Sequence, residues 1–180
     1  MWIGSNDILL LNEDKPGNSA KNIQSEIQTL ISSTGATRFL VANMPDVTVT
    51  PGYLAYDSYL VAESVRAEAR AKIQKRVIKF NDKLDKALYK IEKKNPGVEI
   101  FRFDTFSLLN DILAHPDDYG VNPNTDIPLM DEQALFIDGE LVFLQPAKDP
   151  LPLFWDGVHP TSSIHDIFAD AACRALERCD

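Results

Sequence analysis

Arg38-Phe39-Leu40-Val41-Ala42-Asn43-Met44 and Val98-Glu99-Ile100-Phe101-Arg102-Phe103 are the two stretches on which the fold turns. The first is a compact apolar run that stops at Pro45-Asp46, the pattern of a strand buried on both faces of a parallel sheet. The second reads as another strand. Between them Val65, Ala69, Ile73, Val77, Phe80, Leu84, Leu88 and Ile91 step by three or four, with charged residues in the gaps. That spacing predicts an amphipathic helix of roughly thirty residues with one buried stripe. Its charged remainder reads as a solvated face. Asn95-Pro96-Gly97 ends the helix. Strands alternating with helices predict a layered α/β fold.

Working outward, Met1-Trp2-Ile3 is an apolar stub that runs into Gly4-Ser5-Asn6-Asp7, a strand cut short at its start. Asn12 to Ser19 reads as a polar loop with a Pro16-Gly17 turn, and Ala20 to Ser32 as a helix burying Ile23, Ile27, Leu30 and Ile31. Gly35 stands where a helix C-cap is expected. Ser107 to Leu113 predicts a short helix, and His115 to Leu129 a loop. Asp131 to Gln145 is weakly β-like, with Asp138-Gly139 as a hairpin turn. A last helix from Ser162 to Arg178 buries Ile164, Ile167, Phe168, Ala171, Ala175 and Leu176. The expectation is one domain over residues 1–180, three-layered α/β/α with a mostly parallel sheet and strands near Ile3, Arg38–Met44 and Val98–Phe103.

Composition bounds the function. The 180 residues are 44% hydrophobic, enough for a core, with 8 Gly, 11 Pro and 2 Cys, which excludes collagen-like and disulfide-scaffold chains. A net charge of −9 makes binding of a phosphate backbone by a basic surface unfavourable, so no nucleic-acid partner is expected. No apolar run reaches the roughly 18 residues of a membrane helix, and no signal peptide is read at Met1-Trp2-Ile3. Cys173 and Cys179, six apart in the last helix, are expected on different faces, too distant for an easy bridge.

The chemistry concentrates in Asp156-Gly157-Val158-His159-Pro160-Thr161, a loop before the last helix. A carboxylate three residues before a histidine can fold back onto Nδ1 and orient the ring. Nε2 is then left free as general base and acid. The same residues also read as an Asp-Gly turn with an incidental histidine. Gly4-Ser5-Asn6-Asp7 follows a probable strand, where open α/β sheets place ligands, and the Asn6 amide can donate to an oxyanion. Taken alone it reads more simply as a helix-capping Asn-Asp pair after a glycine turn. Asp156, His159 and His165 are also candidate metal ligands by residue type. His165, four residues after Thr161, is expected to point away from the loop, so no metal and no cofactor is predicted.

Taken together the two stretches resemble the GDSL lipases and esterases, the SGNH hydrolases. Gly4-x-Asn6-Asp7 matches that family's third block, and Asp156-x-x-His159 with Pro160 and Thr161 its fifth. Val41 to Pro51 looks like the family's apolar strand and Asn-x-Pro loop, Phe80 to Leu88 like its long central helix, and Phe103 to Gly120 like the segment after its last core strand. The resemblance implies a carboxylic ester hydrolase acting on lipid (lysophospholipid-like) or short acyl esters. It casts His159 as base, Asp156 as its orienting partner and Asn6 as an oxyanion-hole donor. It also implies a nucleophile serine in an upstream Gly-Asp-Ser-Leu block. No serine here has that setting, and Ser5 holds a variable position of its block. The expectation is an N-terminally truncated domain, inactive alone, whose sheet edge is covered by a missing segment or another chain. A catalytically inactive remnant or binding subunit is the alternative. An exported protein, secreted or periplasmic, is implied by the family only.

Overall fold

The computed structural model describes residues 1–9, 15–55, 63–122, 134–137, 140–143 and 152–176. Strand β1 (Arg38–Ala42) pairs in parallel with β2 (Glu99–Phe103), Val41 opposite Arg102. The chain between them carries α3 (Pro51–Ala55) and the long helix α4 (Glu63–Lys94). The Thr37 carbonyl accepts from Glu99 N–H and Asn43 N–H donates to Phe103, so odd-numbered residues of β1 turn their backbone toward β2.

The even-numbered residues face the opposite edge, and there they meet Met1. Its ammonium donates to the Leu40 carbonyl at 2.5 Å, and its carbonyl accepts from Ala42 N–H at 3.0 Å. These two bonds are one rung of a parallel ladder. The strand expected near Ile3 is reduced to that rung, because Gly4, at φ +115°, swings the chain into α1 (Ser5–Leu9).

Alternation along β1 builds two cores. Phe39 and Val41 pack with Ile23 and Ile27 of α2 (Pro16–Thr34) and with Val77, Phe80 and Leu84 of α4. Leu40 and Ala42 pack with Leu109 and Ile112 of α5 (Thr105–Ala114), and with Ile164 and Phe168 of α6 (Ser162–Ala175). Two side chains then fix the C-terminal end of β1. Asn81 donates to the Met44 carbonyl at 2.9 Å and accepts from its N–H at 2.8 Å. Asn43 accepts from Phe106 N–H at 3.0 Å and donates to Asp104, the cap of α5, at 2.7 Å.

Several expectations are corrected. The described residues are mostly helical and hold a two-stranded parallel sheet plus an antiparallel pair, β3 (Ala134–Ile137) and β4 (Glu140–Phe143), rather than a larger parallel sheet. The Asp138-Gly139 turn lies outside the described residues, as does the stretch 123–129 of the expected loop. Helix α2 begins at Pro16, inside the expected loop, since a proline at the first helical position sacrifices no hydrogen bond. The buried stripe of α4 starts only at Ile73, and Val65 is 57% exposed. Cys173 is disulfide-bonded, contrary to the expectation from spacing, and Cys179 lies outside the described residues.

Candidate active site

The loop from Leu153 to Thr161 closes on itself. Thr161 N–H donates to Leu153 at 3.0 Å, Trp155 N–H donates to His159 at 2.7 Å, and Phe154 bridges antiparallel to Pro160. Phe154 and Thr161 are buried, and the Thr161 hydroxyl donates to the Pro152 carbonyl at 2.8 Å, so the base of the loop is anchored in the core. Asp156-Gly157-Val158 forms its tip. One Asp156 oxygen, Oδ1, accepts from both Val158 N–H and His159 N–H at 2.8 Å. The other, Oδ2, lies 2.8 Å from His159 Nδ1, which must be the donor to an ionised carboxylate. The Asp156 side chain is 33% exposed and the His159 ring 73%.

Burial alone raises the Asp156 pKa, but the two backbone N–H groups, the His159 hydrogen bond and the imidazole charge outweigh it and hold the carboxyl below its ordinary value. A depressed folded pKa contributes stability that is complete above the unfolded aspartate value near ~4 and is lost as pH falls through the folded value. Thermal midpoints of the native chain and Asp156→Asn should therefore differ near pH 5, and the gap should shrink as pH falls below about 4. A gap that ignores pH would contradict this account of the loop.

Asn6 reaches the site by a different route. At Gly4 a Cβ would sit 2.8 Å from Phe80 Cζ, so both the positive φ and the contact require glycine, and α1 starts immediately beyond it. Asn6 is exposed on α1 and lines a cavity of about 270 Å³ together with Ser5 and His159. The remaining lining is largely apolar, supplied by Trp2, Val47, Leu109, Phe154, Val158 and Phe168. The Trp2 and Phe168 rings pack 5.6 Å apart.

The structure thus brings Asp156, His159 and Asn6 to one place. It also brings His165 there, lining the same cavity, where the sequence had turned it away from the loop. The first turn of α6 folds back beside the loop that precedes it, which spacing alone does not show. Among the described residues no group of three or more His, Cys, Asp or Glu could hold a metal ion. Sequence reasoning missed the walls: Val47 and Thr50, Leu109, and Phe168 come from three separate segments, and nothing in their spacing marks them.

Residues 1–172 match the family described as GDSL-like Lipase/Acylhydrolase. The chain belongs to that family. The family takes its name from lipases and acylhydrolases, enzymes that act on esters. A related protein, the anther-specific proline-rich protein APG of Brassica napus, is 25% identical over 179 residues, an alignment covering 91% of this chain. The chain spans 38% of that relative's length. No helix among the described residues is long and apolar enough to cross a membrane.

Proposed function

We propose that the chain supplies the acid–base half of a carboxylic ester hydrolase active on lipid or short acyl esters, lysophospholipids included. The supporting observation is the 2.8 Å contact of Asp156 Oδ2 with His159 Nδ1 beside a mainly apolar cavity that Asn6 also lines. His159 Nε2 takes the proton of a serine hydroxyl as its oxygen attacks the ester carbonyl. The tetrahedral oxyanion accepts a hydrogen bond from Asn6 Nδ2. His159 then returns the proton to the departing alkoxide, and water repeats the sequence on the acyl-enzyme. Asp156 holds the ring and offsets the imidazolium charge. The apolar walls receive the acyl chain. The alternation of β1 between two helix-packed cores supports a three-layer α/β/α domain. The disulfide at Cys173 suits an oxidising compartment.

The nucleophile in this reading is a serine on another stretch of a longer protein, which the partial coverage of the related chain allows. Ser5 is a second reading favoured by one observation, its place in the cavity wall. The 180-residue chain should show negligible hydrolysis of p-nitrophenyl butyrate, and the longest form expressed from its own reading frame should turn it over. Turnover by the short chain that disappears with Ser5→Ala would make Ser5 the nucleophile. Turnover that survives His159→Ala would sink the mechanism. Binding of an ester analogue without turnover in the longest form would favour a binding subunit of the same fold.

A further inference from the structure

We propose that Gly52 is a positioning residue for the Asp156–His159 pair, setting the tip of that loop by backbone contact. The proposal rests on reading the pair as the acid–base machinery. Gly52 N–H donates to the Gly157 carbonyl at 2.7 Å. A Cβ on Gly52 would lie 2.8 Å from that oxygen and 3.4 Å from its carbon. Neither obstacle is the end of a flexible side chain, so any larger residue must displace the loop itself. Gly157 is the central residue of the turn. Its neighbours are Asp156, which carries the carboxylate, and Val158, whose N–H helps to hold it. A push on the Gly157 carbonyl is therefore a push on the carboxylate that orients His159.

What Gly52 leans on is stiff. It follows the buried Thr50 and Pro51, and Tyr53 and Leu54 N–H groups both donate back to the Thr50 carbonyl. The Thr50 hydroxyl donates to Val47, and the 3-10 turn Val47–Val49 is capped by Asp46. Asp46 is fully buried and accepts from the Thr48 hydroxyl and from Gln74 of α4. Val47, Thr50 and His159 line one cavity. The Gly52–Gly157 joint therefore sets the distance between the wall that meets substrate and the base that acts on it.

The glycine requirement is one-sided. Gly52 and Gly157 both lie outside the positive-φ glycines, so alanine is penalised at neither by backbone conformation. A Cβ on Gly157 would meet Gly52 Cα at 3.4 Å, ordinary contact. Gly52→Ala must move the loop and Gly157→Ala need not.

The test is the proton on His159 Nδ1, observed by NMR in the native chain as a downfield resonance of the hydrogen bond to Asp156. In Gly52→Ala it should be lost or displaced. In the form of the protein that hydrolyses p-nitrophenyl esters, kcat should fall roughly ten- to a hundredfold with KM little changed, since misplacement of reacting groups by about 1 Å costs on the order of a hundredfold. In Gly157→Ala the resonance should persist. An unchanged resonance and kcat in Gly52→Ala overturn the proposal. So does loss of the resonance in Gly157→Ala, which decides the matter if Gly52→Ala fails to fold. Asp156→Asn separates the premise from the proposal: the resonance must vanish there, and its persistence overturns the pairing itself.

Discussion

Replacing His159 by alanine should lower ester hydrolysis by roughly 10⁴- to 10⁶-fold in the form of the protein that turns over, the range found when the base of a serine hydrolase is removed. The size of the effect follows from the geometry. His159 Nδ1 is committed to Asp156 Oδ2 at 2.8 Å, so Nε2 is the ring atom left to move a proton. Asn6, which lines the same cavity, does not titrate and cannot take over that proton transfer. Asp156→Asn should cost about 10⁴-fold in kcat, because an amide in that place favours the wrong imidazole tautomer. KM for both variants should change far less than kcat, as the apolar walls are untouched. A His159→Ala enzyme within tenfold of the native rate would remove His159 from the mechanism and point to His165 instead.

The second large effect is on stability. Phe80 is completely buried at the centre of the core formed by α2, α4 and β1, and its ring tip lies directly beneath Gly4. Phe80→Ala removes the ring and leaves a void that the surrounding helices fill only in part, a change worth about 3–5 kcal/mol. For a chain of this size each kcal/mol moves the thermal midpoint by roughly 2–4 °C, so a fall of about 6–20 °C is expected. The damage should reach the site as well, since the floor under Gly4 is also the support for α1 and Asn6. Val65→Ala on the same helix should change stability by less than about 0.5 kcal/mol, because Val65 is mostly exposed. Equal midpoints for the two variants in a differential scan would mean that this core does not hold the domain.

Much of this was legible in the residues. Arg38–Met44 and Val98–Phe103 were read as parallel strands and pair as such, because continuous apolar runs between turn signals leave little else for the chain to do. The i, i+3 spacing of Asp156 and His159 allows a carboxylate to face Nδ1 but fits an incidental histidine after an Asp-Gly turn as well, and it is the folded loop that brings the two to 2.8 Å. Failures came where a local signal met a tertiary one. Pro16-Gly17 carries turn residues yet opens α2, because Ile23 and Ile27 behind it have a core to enter. Val65 and Ala69 keep the helical period but are exposed, because the described core begins only further along the helix, at Ile73. His165 was turned the wrong way because helical spacing gives an angle about the axis and not the position of the loop beside it. The Gly52–Gly157 contact joins residues about a hundred positions apart through backbone atoms alone, and no side-chain pattern can announce that.

Helix α4 is one element by its hydrogen bonding and two by its thermodynamics. Its first turns leave Val65 and Ala69 exposed, whereas Val77, Phe80, Leu84, Leu88 and Ile91 cannot leave their places without opening the core. Unwinding the first part uncovers neither Val65 nor Ala69, which are already exposed, but it withdraws Arg66 from the Leu54 carbonyl, to which it donates at 3.3 Å. Unwinding the second part releases Met44 from Asn81 and takes the end of β1 with it. The two parts of the helix therefore need not open at one free energy.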